Sequence, residues 1–392
     1  MRTAVFLYPW DVVDDPDAAA RIADLGVHQV TLAAAYHSTR ALTPRHPRHR
    51  IVTADHSAVL YEPDAARWSG HRLRPYPAGA WACGDTYAEA ADALRGAGID
   101  VHSWVVLAHN SRLGTENPDI VVRNAYGDRY PWAPCIARPE VQAYLAALAA
   151  EAAVRPGARG TELESCGWYG LAHLHAHDKT GGVALGDAAQ YLMSLCFCTA
   201  CRIGYTQHGV DPDLLACTVR QCLEPLWSAG GTSAAGWPAV VDLLGARLAA
   251  ATLTWRTGTA RGLQELVVGA VRAAAAPGFQ VLLHADPAPY RSGPNPGADP
   301  AHLLSIADGA VLPCGGGGAE TVLPPFVPHR EQGSVIAANF SVVAGMGGSP
   351  DTLVADVRRA QTLGANELRL YHAGLATDAD LRAVRESLRV LI

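Results

Sequence analysis

Two glutamates, a spaced set of histidines and a run of cysteines crowd into residues 160–202, GTELESCGWYGLAHLHAHDKTGGVALGDAAQYLMSLCFCTACR. Glu162 and Glu164 lie two apart on a short β-type run, so both carboxyls point to one face, with Glu164 nearer the carboxyl end. A carboxyl kept from water holds its proton above the usual range and can hand it to a leaving oxygen. The competing reading is a salt-bridged glutamate, because a carboxylate in a strand wall is costly unless used or paired. His173, His175 and His177 alternate on the next segment, followed by Asp178 and Lys179. Alternate histidines can converge on a metal ion, hydrogen-bond a hydroxylated ligand, or simply line a solvated loop. Lys179 is the only lysine in 392 residues, every other basic side chain being arginine. Beside histidines it could bind a ligand or serve as a Schiff-base amine.

Cys196, Cys198 and Cys201 form a Cys-x-Cys-x-x-Cys run, and Cys135 lies upstream in Cys-Ile-Ala-Arg-Pro. Four thiolates at such spacing suit a closed tetrahedral zinc site, which leaves no position for a reacting water and is therefore structural. Cys166 competes with Cys135 for the fourth place. Cys217, Cys222 and Cys314 read as buried apolar thiols.

Eight strand-length apolar runs must hold these groups, at 4–8, 27–34, 101–107, 161–165, 280–284, 308–312, 335–340 and 367–371. Helical patterns follow most of them, for example 86–96, 140–154, 350–363 and 378–390. Strands alternating with helices predict an α/β chain folded as a (β/α)8 TIM barrel, a single domain over 1–392. Residues 167–276, the cysteine loop and a helix-rich stretch, become an insertion between strands 4 and 5. An open doubly wound sheet would carry a glycine-rich turn after its first strand, where this chain reads Pro9-Trp10-Asp11.

In such a barrel the chemistry gathers at the carboxyl ends of the strands. That rule selects Tyr8 and Trp10 after strand 1, Tyr36-His37 after strand 2 and His109-Asn110 after strand 3. It also selects Glu164, His284 with Asp286, Asn339, and Tyr371-His372 after strands 4, 5, 7 and 8. An aromatic, amide-rich rim with few carboxylates suits a neutral polyhydroxylated ligand. The expected binding set is Tyr8, Trp10, His37, His175, His177, Lys179, His284, Asn339 and Tyr371. Glu164 is the expected acid, and Asp286 or Asp11 the second carboxylate.

These features resemble the large barrel clan of glycoside hydrolases, clan A, in particular its zinc-clip β-galactosidase group of the family 42 type. Tyr8-Pro9-Trp10 is similar to a shortened form of that group's first-strand motif, and Cys135-Ile-Ala-Arg-Pro139 to the segment giving its first zinc ligand. Cys196-x-Cys198-x-x-Cys201 matches the clip itself. A set of uncharacterised bacterial glycosidase-like barrel proteins is similar through Leu163-Glu164-Ser165, the histidine loop and Leu-Cys-Phe-Cys-x-x-Cys. The likeness covers about the first half of the chain. It implies hydrolysis of a small glycoside or sugar-derived substrate by general acid/base catalysis, with structural zinc. Two positions depart from the clan: Leu163 stands where it has Asn before the acid, and Asn339 where it has a nucleophilic glutamate. A non-catalytic sugar-binding relative therefore stays open. So does a phosphosugar isomerase or aldolase-like barrel using the glycine turns at 315–318 and 347–349.

A net charge of −6 offers no attraction for nucleic acid or anionic membrane. The start MRTAVFLYPW has no signal-peptide pattern, and no apolar run reaches spanning length. A cytoplasmic protein with a small-molecule carbohydrate partner is expected, with no nucleic acid and no membrane partner; a homo-oligomer is left open.

Overall fold

The structure is a computed structural model that describes residues 1–171, 178–232 and 235–391. Eight parallel strands close on themselves: β1 Arg2–Leu7, β2 Gln29–Tyr36, β3 Asp100–Val106, β4 Ala158–Glu164, β5 Gln280–His284, β6 Gly309–Pro313, β7 Val335–Ser341 and β8 Glu367–Tyr371. Closure is at β1, where Ala4 pairs with Gln29 of β2 on one side and Arg369 of β8 on the other. The expected (β/α)8 barrel is thus present.

Alternation along the strands sorts side chains between two cores. Val5, Leu7, Val30, Leu32, Val105, Leu163, Leu283, Leu312, Ile336 and Leu368 face out into the large apolar layer under the helices. Phe6, Ala33, Trp104 and Val106 face in, as do Leu282, Val311, Val335 and Ala337. The small Ala33 and Ala337 leave room for bulky neighbours on adjacent strands, as close packing requires.

The barrel interior also holds a polar layer. Arg369 Nε donates to Glu162 Oε1 at 2.5 Å, Arg369 Nη1 to Glu367 Oε2 at 2.9 Å, and Thr31 Oγ1 to Glu162 Oε1 at 3.1 Å. Both Glu162 and Arg369 are 0% exposed. A buried arginine needs a partner in this setting, and the strand period supplies one.

Helices Thr86–Gly96, Pro139–Ala153, Leu353–Thr362 and Asp378–Leu391 cover the barrel outside β2–β4 and β7–β8. Glu151 on Pro139–Ala153 anchors the long excursion that follows β2. It accepts from Tyr61 Oη at 3.1 Å, Asp64 N at 2.6 Å and Trp68 Nε1 at 2.7 Å. Between β4 and β5 stand helices Asp187–Met193, Thr199–Gln207, Pro212–Ala229, Gly236–Leu244 and the 29-residue Ala246–Ala274. Arg256 on the last is buried and bonds Ser194 O and Ser292 Oγ, its guanidinium lying over the Trp168 ring. Among the described residues no helix is long and apolar enough to cross a membrane.

Candidate active site

The carboxyl ends of the strands enclose a cavity of about 650 Å³. Its inner wall is aromatic. Tyr8 follows β1, Tyr36 ends β2, Trp104 rises from β3 and Tyr371 ends β8. Tyr8 and Tyr36 meet edge-on at 4.9 Å between ring centres, and Tyr36 and Trp104 at 4.6 Å. The phenols of Tyr8, Tyr36 and Tyr371 share this wall and act on one another's ionisation. Burial holds all three above the ordinary phenol range. They are therefore neutral donors near neutrality rather than phenolates.

Glu164 lies in this wall, 9% exposed. Trp104 Nε1 donates to its Oε2 at 2.9 Å. Burial raises its pKa; His284 and the indole bond pull the other way without overcoming burial. Glu162, two residues deeper, has the opposite fate. Burial pushes it up, but the Arg369 charge and His284 outweigh that and bring it to about 2. One strand thus carries a carboxyl with a raised pKa at the cavity and a carboxylate with a lowered one beneath it. His284 sits between them, its Nε2 3.4 Å from Glu162 Oε2. The salt bridge weighed for Glu164 is found at Glu162 instead, where Arg369 holds the carboxylate.

Directly after the acid the chain turns sharply. Ser165 takes φ 58°, a left-handed conformation that L side chains rarely adopt and that is a local strain. Ser165 N donates to Pro294 O at 2.9 Å, and Ala108 N donates to Ser165 O at 3.1 Å. The turn is therefore clamped between the loops after β3 and β5.

Of the expected binding residues, Tyr8, His37, His284, Asn339 and Tyr371 line the cavity. Asn339 Oδ1 is buried with no hydrogen-bond partner among the described residues. Trp10 stacks against Tyr8, ring centres 4.5 Å apart, and is not in the lining. Lys179 is exposed and also outside the lining. His173, His175 and His177 lie outside the described residues. Asp286, expected as the second carboxylate, is not in the lining. Its Oδ1 accepts from Ala288 N at 2.8 Å and its Oδ2 faces Arg291 Nε at 3.8 Å, so the turn after β5 uses it.

Asp11 is buried behind Tyr8 instead of facing the cavity. Its Oδ2 accepts from Tyr8 N at 2.8 Å, and burial raises its pKa to about 7. Gly374 crosses so close that a Cβ there would meet Asp11 Oδ2 at 1.8 Å, which is why glycine stands at 374.

The carboxylate that does join Glu164 in the lining is Asp380. Asp380 N donates to Thr377 Oγ1 at 3.1 Å and Thr377 N to Asp380 Oδ2 at 2.9 Å, a reciprocal cap on helix Asp378–Leu391. Sequence reasoning missed it. The Thr-x-x-Asp spacing announces a helix start but gives no sign of a cavity.

The glycine turns after β6 and β7 face a separate cavity of about 120 Å³. Arg359 there donates to Glu320 at 3.0 Å, and Asp356 is a second carboxylate. Two carboxylates against one arginine give it the wrong sign for phosphate.

Cys135, Cys196, Cys198 and Cys201 come together, all buried, with the four Sγ atoms within 4.8 Å of one another. Cys135 Sγ is 3.6 Å from both Cys198 Sγ and Cys201 Sγ. That is far too long for a disulfide, and close to the edge of a thiolate tetrahedron, about 3.8 Å for zinc–sulfur bonds of about 2.3 Å. Arg123 N and Cys198 N both donate to Cys196 Sγ from 3.4 Å. The four residues fit a metal ion. Cys166 is elsewhere in the core, burial pushing its thiol up to about 12. The fourth place in the cluster belongs to Cys135.

Solved structures share this architecture. The chain has the fold of the barrel glycoside hydrolases. A family 42 β-galactosidase from G. stearothermophilus superimposes with a TM-score of 0.57 at 11% identity, covering 100% of this chain and 56% of its own. The α-L-fucosidase isoenzyme 2 from Paenibacillus thiaminolyticus gives 0.56 at 13%, covering 100% and 49%. The β-amylase catalytic domain from Paenibacillus polymyxa gives 0.54 at 11%, covering 100% and 98%. This chain thus spans about half the length of the fucosidase (49%) and of the β-galactosidase (56%). No protein-family model and no curated protein sequence matches the chain.

Proposed function

We propose that this protein is a glycosidase-like hydrolase acting on a small glycoside or sugar-derived substrate by general acid/base catalysis, with Glu164 as the acid. One observation carries the reading. Glu164 is a carboxyl in a cavity wall whose pKa burial raises and whose orientation one indole N–H fixes. Its proton passes to the bridging oxygen as the C1–O bond breaks and the bonding pair leaves with that oxygen. The ring oxygen then shares the positive charge left at C1. Water adds to C1 and gives its proton to a base. Asp380 is the candidate base, in place of Asp286 and Asp11.

With Asn339 at the end of β7, inversion by direct attack of water suits this wall better than a covalent carboxylate intermediate. The neutral phenols of Tyr8, Tyr36 and Tyr371 suit hydrogen bonds to sugar hydroxyls and are poor nucleophiles. In this reading the four cysteines hold a structural zinc ion, which ties the segment after β3 to the insertion after β4. Free cysteines throughout fit a reducing, cytoplasmic setting. The whole of 1–392 is then one barrel domain, decorated at 167–276.

Glu164→Gln is the test. Turnover of alkyl glycosides, whose leaving oxygen needs the proton, should fall by about 10²–10⁴, with an unchanged unfolding midpoint. A fully active variant would remove Glu164 from the mechanism. A second reading, a sugar-binding barrel without turnover, is favoured by the use of Asp380 in a helix cap. Saturable binding with no hydrolysis over α- and β-linked panels would select it.

A further inference from the structure

The active-site cavity has two unlike halves. Its floor carries the Glu164 carboxyl, His284, the unpartnered Asn339 Oδ1 and the phenol hydroxyls. Its mouth is lined by Leu42 and Ala41 from the hairpin after β2, Val343 and Met346 from the turn after β7, and Leu375 after β8. Leu42 is 57% exposed and Met346 56%, among the most exposed large apolar side chains of the protein. Single exposed apolar residues are ordinary on any surface. Two that converge from different loops on the opening of one cavity, backed by three more apolar residues, are not scattered in that sense. Arg40 and Thr39 of the same hairpin, Asn295 after β5, and Thr377 and Asp380 beyond Leu375 are the polar interruptions around the cavity.

Resting on the glycoside reading above, we infer that the substrate is amphiphilic: a sugar seated on the floor, carrying an alkyl or aryl group that the mouth covers. A volume of about 650 Å³ is several times what one pyranose ring fills. The acid lies in the inner wall and must face the bridging oxygen, so the group beyond that oxygen extends toward the opening. There it removes Leu42 and Met346 from water. Each methylene buried is worth about 0.8 kcal/mol, close to a fourfold gain in affinity. Substrates with a hydroxylated leaving group would forgo this gain. Leu42 and Met346 are then specificity residues for the leaving group and touch no reacting atom.

The test compares methyl, n-butyl and n-octyl glycosides of glucose and galactose, in both anomers. Dissociation constants are measured below micelle-forming concentrations by titration calorimetry on the full chain. The octyl compound of at least one pair should bind tenfold or more tighter than its methyl partner, with butyl between. In Leu42→Ser/Met346→Ser, both exposed positions, that ratio should fall to within about threefold, in line with lost apolar burial. Equal affinities across the series overturn the inference. So does a chain-length effect that survives the double substitution, or the absence of binding by any octyl compound. Turnover of methyl glycosides without a chain-length effect would leave the hydrolase reading standing and remove only this one. Strong octyl binding without hydrolysis of any glycoside would do the reverse.

Discussion

Trp104 pairs in strand register with Glu162, yet its indole reaches past that residue to donate to Glu164 Oε2 at 2.9 Å. The ring packs edge-on against Phe6, centres 4.8 Å apart, so its direction is set by the barrel core rather than by a ligand. Trp104→Phe should keep this packing and lose only the donor. Because the bond holds the Glu164 pKa down, its loss should move the alkaline limb of kcat to higher pH and lower kcat by about tenfold. A pH–rate profile of the variant against the parent checks both.

The Glu162–Arg369 pair should behave as a buried ion pair. Arg369→Met alone leaves a carboxylate with no cation at the centre of the barrel, and should cost about 3–5 kcal/mol in urea unfolding. Glu162→Gln/Arg369→Met together should cost much less than the sum of the single changes. Equal and additive losses would mean that the pair acts through packing alone.

Acid should destabilise the protein well before ordinary carboxylate pairs are broken. Burial holds His372 down at about 3 and His102 at about 4, while Arg369 holds Glu162 at about 2. In the unfolded chain the histidines bind a proton near pH 6.5 and the glutamate near 4.5. The unfolded state therefore holds more protons as pH falls from about 6.5, and stability must decline through that range. Asp11 runs the other way. Its pKa is raised to about 7, so its contribution is present below its unfolded value and lost as pH rises through about 7. Denaturant midpoints should peak between these limits, with an acid slope worth a few kcal/mol that shrinks in His102→Gln.

Metal analysis of the purified protein should find close to one zinc ion per chain. Stripping it with a strong chelator should lower Tm by roughly 5 °C or more, reversibly on adding zinc. Cys135→Ser should lose the metal, whereas Cys166→Ser should keep it, because only Cys135 joins the sulfur cluster. Retention by the first variant would move the ion elsewhere.

Strand alternation and helix spacing made the barrel legible, because both periods are written into neighbouring residues. The cysteine clip was legible through its spacing, and Glu164 through its place at a strand end. What could not be read were meetings between distant strands. Trp104 sits in Val-His-Ser-Trp-Val-Val, which reads as core, and only closure of the barrel turns it toward Glu164. Tyr36 marked the end of a strand without showing that its ring would meet those of Tyr8 and Trp104. Asp286 and Asp11 looked available because they follow strands, but the first serves its own turn and the second is covered by Tyr8 and Gly374. Asp380 was hidden by the ordinary grammar of a helix start.

Glu151 has a bearing on where such a protein can work. Secreted domains commonly fasten a wandering loop with a covalent crosslink, which a thiol-rich cell interior would undo. Here one carboxylate gathers a phenol, an indole and a main-chain amide from the 61–68 stretch onto a single helix. That fastening is indifferent to redox potential, so the outer flank of the barrel keeps its shape with or without oxidant, and the cysteines are left free for other duties.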